Sequence, residues 1–179
     1  GWALRWQRPD ALLPGRDVVL AHPRCGVCLM HMHREPQTMQ LAPMQGDVVP
    51  QVLSFLELYA NGLRGLGVEK ARICVDPGIG FGKTVPQNFA LLARQAELAA
   101  LGYPVLAGWS RKSSLAAVTQ RSLASVATLD NRDRLVPSTT AAVLAVQHGA
   151  HLVRVHDVRE TVQALKVLAA TQQALATEG

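Results

Sequence analysis

Residues 73–84 read Ile73-Cys74-Val75-Asp76-Pro77-Gly78-Ile79-Gly80-Phe81-Gly82-Lys83-Thr84. A short apolar run that stops at a carboxylate and passes into Pro and alternate glycines has the form of a buried strand handing over to a tight turn. The same unit recurs at Val27 to Met32, Val105 to Gly108 and Leu152 to His156. Between these runs lie segments with helical periodicity. In Asp47 to Leu66, the residues Val48, Val49, Val52, Leu53, Phe55, Leu56, Leu58, Tyr59 and Leu63 make a wide apolar face that Gly65 and Gly67 terminate. Asn88 to Leu101 ends before Gly102, Arg134 to His148 before Gly149, and Val158 to Leu175 follows Asp157. Asp157 and Glu160 have the spacing of an acidic capping box, which predicts that the Asp157 carboxylate accepts the orphan amides of the last helix. Four strands alternating with four helices, through connections too long for hairpins, predict parallel strands and right-handed crossovers. The expected class is α/β, in a single domain over residues 1–179. Trp2 to Pro23 is less periodic and reads as a loop with one short helix.

Composition narrows the function classes. With 49% apolar and 17% charged residues the chain can bury a core, which excludes disordered and collagen-like readings. No apolar run approaches the roughly 18 residues that span a bilayer, and Gly1-Trp2-Ala3-Leu4-Arg5 is not a basic region followed by an apolar stretch. The expectation is a cytoplasmic protein with no membrane partner. The net charge of +5 is spread along the chain rather than gathered in a stripe, so no nucleic-acid partner is expected, while an anionic small substrate fits. Three cysteines without a secretory signal predict reduced thiols.

The polar residues at strand ends carry the chemistry. His31 and His33, Asp76, Ser110 to Lys112, and Arg154 to Asp157 all fall where a strand meets its loop. Parallel α/β sheets place their sites there, so these clusters are expected to converge. Gly82-Lys83-Thr84 has the form of a phosphate-loop tail, but that motif needs Gly where Pro77 stands, and the glycine spacing does not fit a dinucleotide fingerprint. Asp76 can accept two parallel N–H bonds from a guanidine-like ring edge, or it can simply cap the turn before Pro77. In Gly108-Trp109-Ser110-Arg111-Lys112-Ser113, amides, helix dipole and ammonium can face an anion or a polarised carbonyl; the alternative for Arg111 is a solvated charge. Arg154 and His156 share a strand face, and on a strand covered from both sides they would be costly unless aimed into a pocket. They make a natural diphosphate clamp, the alternative being a satisfied core pair. Cys25, Cys28, His31 and His33 suggest zinc by letter count, but Cys28 and His31 have opposite parity and no second ligand pair follows. Met30 and Met32 read as core or pocket wall.

Four motifs in order resemble one family. They are Cys28-Leu29-Met30-His31-Met32 with Pro36, Thr38, Met39 and Gln40; Asp76 to Lys83 with Asn88 and Leu91-Leu92; Gly108 with Ser110-Arg111-Lys112-Ser113; and Gly149-Ala150 with Arg154-Val155-His156-Asp157-Val158. Together they resemble the C-terminal half of the dihydropteroate synthases. The resemblance implies a TIM barrel that condenses 6-hydroxymethyl-7,8-dihydropterin diphosphate with p-aminobenzoate, releases pyrophosphate on the way to folate, and is a target of sulfonamides. It implies pterin contacts from Met30, Asp76, Gly108, Lys112 and Arg154, a p-aminobenzoate border of Phe81, Ser110 and Lys112, and a diphosphate grip by Arg154 and His156. Lys112, Arg154 and His156 would be the catalytic groups, with C–O cleavage running ahead of amine attack. Mg²⁺ is the implied cofactor, although its family asparagine belongs to an N-terminal half that has no counterpart here. His33-Arg34 stands where the family usually has Gln-Gly, and the stretch from Ala116 to Thr139 is longer than expected. A complete eight-stranded barrel takes about 250 residues, against 179 here. The resemblance therefore implies a fragment of four βα units, a half barrel with helices on its convex side. It also implies a homodimer through the C-terminal helices Asn88 to Leu101, Arg134 to His148 and Val158 to Leu175. The other readings are a pterin-binding corrinoid methyltransferase relative and a catalytically inert fragment.

Overall fold

The computed structural model describes residues 14–34, 39, 41–120 and 134–177. Pro36, Thr38, Gln40 and most of the long stretch from Ala116 to Thr139 lie outside them. Four short strands, β1 (Val27–Met30), β2 (Ile73–Asp76), β3 (Leu106–Ala107) and β4 (Leu152–Val153), alternate with helices. β1 pairs with β2 in parallel register from Val27 opposite Ile73 to Met30 opposite Asp76. A parallel bridge from Val75 to Val105 joins β2 to the segment entering β3, and β3 pairs in parallel with β4. The strands thus run parallel, as the alternation predicts, and stand in chain order, as a barrel requires. Val27, Leu29, Ile73 and Val75 enter the apolar core. The alternate residues Cys28, Met30, Cys74 and Asp76 face the other way.

The helices follow from their caps and apolar spacing. α1 (Pro14–Ala21) is the expected short helix ahead of β1. Arg72 caps its end: the guanidinium donates to the carbonyls of Val19 at 2.8 Å, His22 at 2.9 Å and Cys25 at 2.9 Å, so a cation sits at the negative end of the helix. α2 (Val48–Gly65) starts behind Asp47, whose carboxylate accepts the Val49 amide at 3.0 Å. Its buried face of Val48, Val49, Val52, Leu56, Tyr59, Ala60 and Leu63 has the predicted three-four spacing.

The next helix departs from expectation at both ends. α3 (Val85–Ala93) starts three residues before Asn88, because Thr84 and Gln87 form a reciprocal capping box with a proline in the first turn. At Arg94 the run breaks and α4 (Gln95–Ala99) continues it. α5 (Ser113–Gln120), α6 (Leu135–Gln147) and α7 (Val158–Thr177) complete the described elements, and α6 packs against β4 and α7.

Two further expectations are corrected. β4 is not covered on both sides: Leu152 is 48% exposed, and Arg154 and His156 are exposed beyond it. Asp157 does not cap α7 with its carboxylate, which pairs with Arg111 at 2.8 Å. The first turn of α7 is held by the Asp157 carbonyl, which accepts the Thr161 amide at 3.1 Å and hydroxyl at 2.8 Å. No helix among the described residues is long and apolar enough to cross a membrane.

The loop leaving β2 crosses the end of β1 so closely that Gly78, at φ +68°, has no room for a side chain; a Cβ there would strike the carbonyl oxygen of His31. Gly67, at φ +86° after α2, faces open space. The pair separates backbone cost from collision. Gly67→Ala is expected to cost about 1 kcal/mol for its left-handed backbone. Gly78→Ala is expected to cost about 2 to 5 kcal/mol, because overpacking adds to that strain. Urea denaturation of the two variants measures both; equal losses would refute the close approach.

Candidate functional site

The carboxyl ends of the strands are tied together by main chain and by one buried amine. The His31 amide donates to the Asp76 carbonyl at 3.0 Å, extending the β1–β2 ladder past Met30. Lys83, only 3% exposed, turns back under the glycine-rich loop. Its Nζ donates to the carbonyls of Gly78 at 2.9 Å and Phe81 at 3.2 Å, and lies 2.9 Å from His31 Nδ1. Burial pulls the Lys83 pKa down to about 7, against the attraction of Asp76. Burial, with Lys83 and His33 adding, lowers His31 to about 3. His31 is therefore neutral, and its Nδ1 accepts from Lys83 while its ring meets Phe55 edge-on at 4.9 Å. Asn88 pins the same loop from the other side: Oδ1 accepts the Gly80 amide at 2.9 Å and Nδ2 donates to Ser114 Oγ at 2.9 Å.

Asp76, buried at the tip of β2, accepts the Gly78 amide on Oδ1 at 2.7 Å. Among the described residues its second oxygen carries no hydrogen bond. Burial pushes this carboxyl up, while the Gly78 amide, Lys112, Arg154 and Lys83 pull it down. Met30, half-buried at the tip of β1, stands opposite Asp76 in register. The Lys112 ammonium lies 4.3 Å from the Phe81 ring centroid, a cation–π arrangement. Its stem packs over Gly80, where a Cβ would come within 3.3 Å of Lys112 Cδ. Burial lowers the Lys112 pKa and Arg154 adds to the effect, opposed by Asp76.

The last two strands supply the second cation. The Arg154 amide donates to the Ala107 carbonyl at 3.0 Å. Its guanidinium passes over Gly108, where a Cβ would lie 3.4 Å from Nη2. Ser110, assigned by resemblance to the p-aminobenzoate border, has its hydroxyl engaged by His156: Oγ lies 2.9 Å from Nδ1 and accepts the His156 amide at 3.2 Å. Arg111 turns away from this group. At φ +60° its side chain reaches Asp157, with Nη2 to Oδ1 at 2.8 Å and Nε to Oδ2 at 3.4 Å, while its amide donates to Ser138. The left-handed backbone separates the neighbouring cations, sending Lys112 to the glycine loop and Arg111 to the foot of α7.

The structure thus brings Asp76, Lys112 and Arg154 within electrostatic reach of one another, with Met30, Phe81 and Gly108 around them. A buried carboxylate with a free oxygen, a flat aromatic wall and two cations can take a planar heterocycle with N–H donors on one edge and an anionic substituent. Lys83, Asn88 and the buried state of His31 are the parts that sequence reasoning does not reach. The signal for Lys83 is there, in Gly82-Lys83-Thr84, but its partner His31 is far away in the chain.

The Lys83 proton makes a test. An unfolded lysine titrates near about 10.4, so between pH 7 and 10 the unfolded chain holds a proton that the folded chain has lost. Stability contributed here is full above the unfolded pKa and lost as pH falls through about 7. His31 has the same sign in a lower window, from its unfolded value down to about 3. Asp76, shifted up, has the opposite sign: its contribution is present at low pH and fades as pH rises through its folded pKa. The urea midpoint is expected to climb from pH 7 to pH 9, by about 1 kcal/mol per pH unit, and Lys83→Met is expected to flatten that climb. An unchanged slope in Lys83→Met would refute the assignment.

Comparison with known proteins follows the same line. The pterin binding enzyme family matches residues 15–156. The dihydropteroate synthase of Haemophilus influenzae is 42% identical over 168 residues, covering 94% of this chain and 56% of that protein. The dihydropteroate synthase of Xanthomonas albilineans, solved with 4-aminobenzoic acid, matches with a TM-score of 0.77 at 42% identity, over 89% of this chain and 54% of that one. Solved with 7,8-dihydropteroate it gives a TM-score of 0.77 at 41% identity, over 88% and 54%. The Yersinia pestis dihydropteroate synthase, in a sulfonamide drug complex, matches with a TM-score of 0.76 at 36% identity, over 83% and 52%. The chain spans about half the length of the curated relatives it matches.

Proposed function

This chain belongs to the pterin binding enzyme family, and we propose that it is the C-terminal half of a dihydropteroate synthase barrel. The observation that carries the reading is that Asp76, Lys112 and Arg154, at or just beyond the ends of β2, β3 and β4, lie within electrostatic reach of one another. The four parallel strands in chain order support a half barrel, which leaves two sheet edges to be covered by further βα units. The Xanthomonas albilineans relative solved with 4-aminobenzoic acid and with 7,8-dihydropteroate supports the two substrate classes, an aryl amine and a pterin. The sulfonamide complex of the Yersinia pestis relative supports sulfonamides as inhibitors.

In the proposed reaction the bond between the pterin methylene carbon and its diphosphate oxygen breaks, and pyrophosphate leaves with the electron pair. The p-aminobenzoate nitrogen then bonds to that carbon and releases a proton to solvent, giving 7,8-dihydropteroate. Asp76 accepts the N–H edge of the pterin on its free oxygen. Lys112 donates to the acceptor side of the ring and, over Phe81, adjoins the amine site. Arg154 and His156 hold the departing charge where it develops, which is the interaction that lowers such a barrier most. Ser110 acts through His156, fixing its ring and its backbone.

Magnesium takes hard oxygen ligands. Among the described residues no group of three or more His, Cys, Asp or Glu could hold a metal ion. Magnesium is usually held by one or two carboxylates together with the substrate's own phosphates, so the ion belongs to the proposal as a partner of the diphosphate, and the roles given above are those of the chain's own residues. A homodimer through the C-terminal helices is part of the proposal. Exposed Val158 and Val162, one turn apart on α7, support an apolar contact there.

Turnover of pterin diphosphate and p-aminobenzoate to dihydropteroate by this chain, alone and supplemented with the N-terminal four βα units of a relative, tests the activity. Product in the supplemented mixture is the expected result. Binding without product in either mixture would favour an inert pterin-binding piece, a reading the half-length match supports. Calorimetric titration tests the roles. Arg154→Ala is expected to weaken pterin diphosphate and pyrophosphate by about 2 to 3 kcal/mol while leaving a pterin without diphosphate unchanged. Asp76→Asn is expected to weaken both pterins. Ser110→Ala is expected to weaken pyrophosphate more than p-aminobenzoate, because its hydroxyl serves His156. Equal loss of both pterins in Arg154→Ala would remove Arg154 from the diphosphate site.

A further inference from the structure

Cys28 and Cys74 are directly opposite each other on the parallel strands β1 and β2, and their sulfurs lie 3.7 Å apart. Both thiols are free and half-buried, on the strand face that carries Met30 and Asp76 one residue pair further along. We propose that Cys28 and Cys74 form a cross-strand dithiol that a small-molecule disulfide oxidises to an intramolecular disulfide.

The geometry supports the closure. A disulfide needs Cα atoms about 4.4 to 6.8 Å apart and a sulfur separation near 2.05 Å. Opposite residues on neighbouring strands lie about 4.8 Å apart, so the backbone is already in range and a change of side-chain torsion supplies the rest. Neither strand need slide, since the register puts the two residues level. The third thiol differs: Cys25 is exposed and precedes β1, with no pairing of that kind.

The reaction runs in two exchanges. One of the two thiols loses its proton to solvent, attacks the small disulfide, expels one thiolate and forms a mixed disulfide; the other thiol then loses its proton, attacks the protein sulfur of that mixed disulfide and expels the second thiolate. Burial and the charge of Asp76 oppose ionisation at both sulfurs. Two protein thiols are oxidised by two electrons, and one small disulfide is reduced to two thiols.

The test is incubation of the 179-residue chain with oxidised glutathione, followed by alkylation of remaining thiols and peptide mapping by mass spectrometry. The expected result is a linked Cys28–Cys74 peptide in most molecules, reversed by dithiothreitol, with Cys25 alkylated or carrying glutathione. In denaturing urea the preference is expected to vanish, with Cys25–Cys28 links competing. Cys28→Ser and Cys74→Ser are each expected to leave the remaining strand thiol as a stable glutathione adduct with no intramolecular link, which shows that each sulfur is reached without requiring ring closure. Separate glutathione on Cys28 and Cys74 with no link, or the same link pattern in native buffer and in urea, would overturn the proposal. Neither result depends on whether the chain binds pterin.

Discussion

A buried amine holds the strand ends in place. Lys83 Nζ bonds two carbonyls of the loop that leaves β2 and the ring nitrogen of His31 just beyond β1. These contacts fix the height of Gly78, whose amide in turn holds one oxygen of Asp76. Leaving any of these groups unpaired in the interior would cost about 1 to 3 kcal/mol each, so the loop, the carboxylate and the histidine move as a unit or not at all. The arrangement also sets charge. A lysine poised near neutrality beside a carboxyl pushed up by the same burial is a pair in which each partner tempers the desolvation of the other.

Around this unit, space is made by omission. Gly78 lets the His31 carbonyl in, and Gly80 admits the stem of Lys112. Gly80 therefore faces a cation that the proposed chemistry needs, while the guanidinium of Arg154 lies at ordinary contact distance over Gly108. Arg111 shows the complementary device. A non-glycine residue at positive φ is held there by two contacts to Asp157 and one from its amide to Ser138, and the result is that only one of the two adjacent cations faces the loop.

Much of this is legible in the sequence, for reasons that also mark where reading stops. The apolar runs before Met30, Asp76, Gly108 and Arg154 carry the strands because parallel strands are buried by helices, and the alternation with helices carries their parallel direction. The polar residues at the strand ends carry the convergence. What escapes is competition between distant partners. Asp157 has the spacing of a cap, but Arg111 offers its carboxylate a two-pronged ion pair, and that partner is visible only in space. Thr84 starts α3, yet the same residue completes the letters of a phosphate loop, so the helix reads as beginning late. β4 looks like a covered strand because its neighbours do. It is instead the last of the row, and Leu152, Arg154 and His156 are open to solvent. Lys83 and Asn88 are common residue types whose role depends wholly on being enclosed.

The exposure gradient across the row divides the proposed recognition in two. Asp76 sits on an inner strand, buried and hydrogen-bonded, where a mismatched ring edge would leave a carboxylate oxygen unpaired in low dielectric. That is a strong source of selectivity, because the wrong donor pattern incurs the full desolvation cost. Arg154 and His156 sit at the outer strand in solvent, where an anion is attracted from a distance but each contact is screened by salt. In the proposed function, a ligand carrying both a donor-edged ring and a diphosphate would therefore be selected by its ring and gathered by its charge. The strand order itself produces this division, since the residue two places inward from an open edge is covered on both sides while the residue on the edge is not.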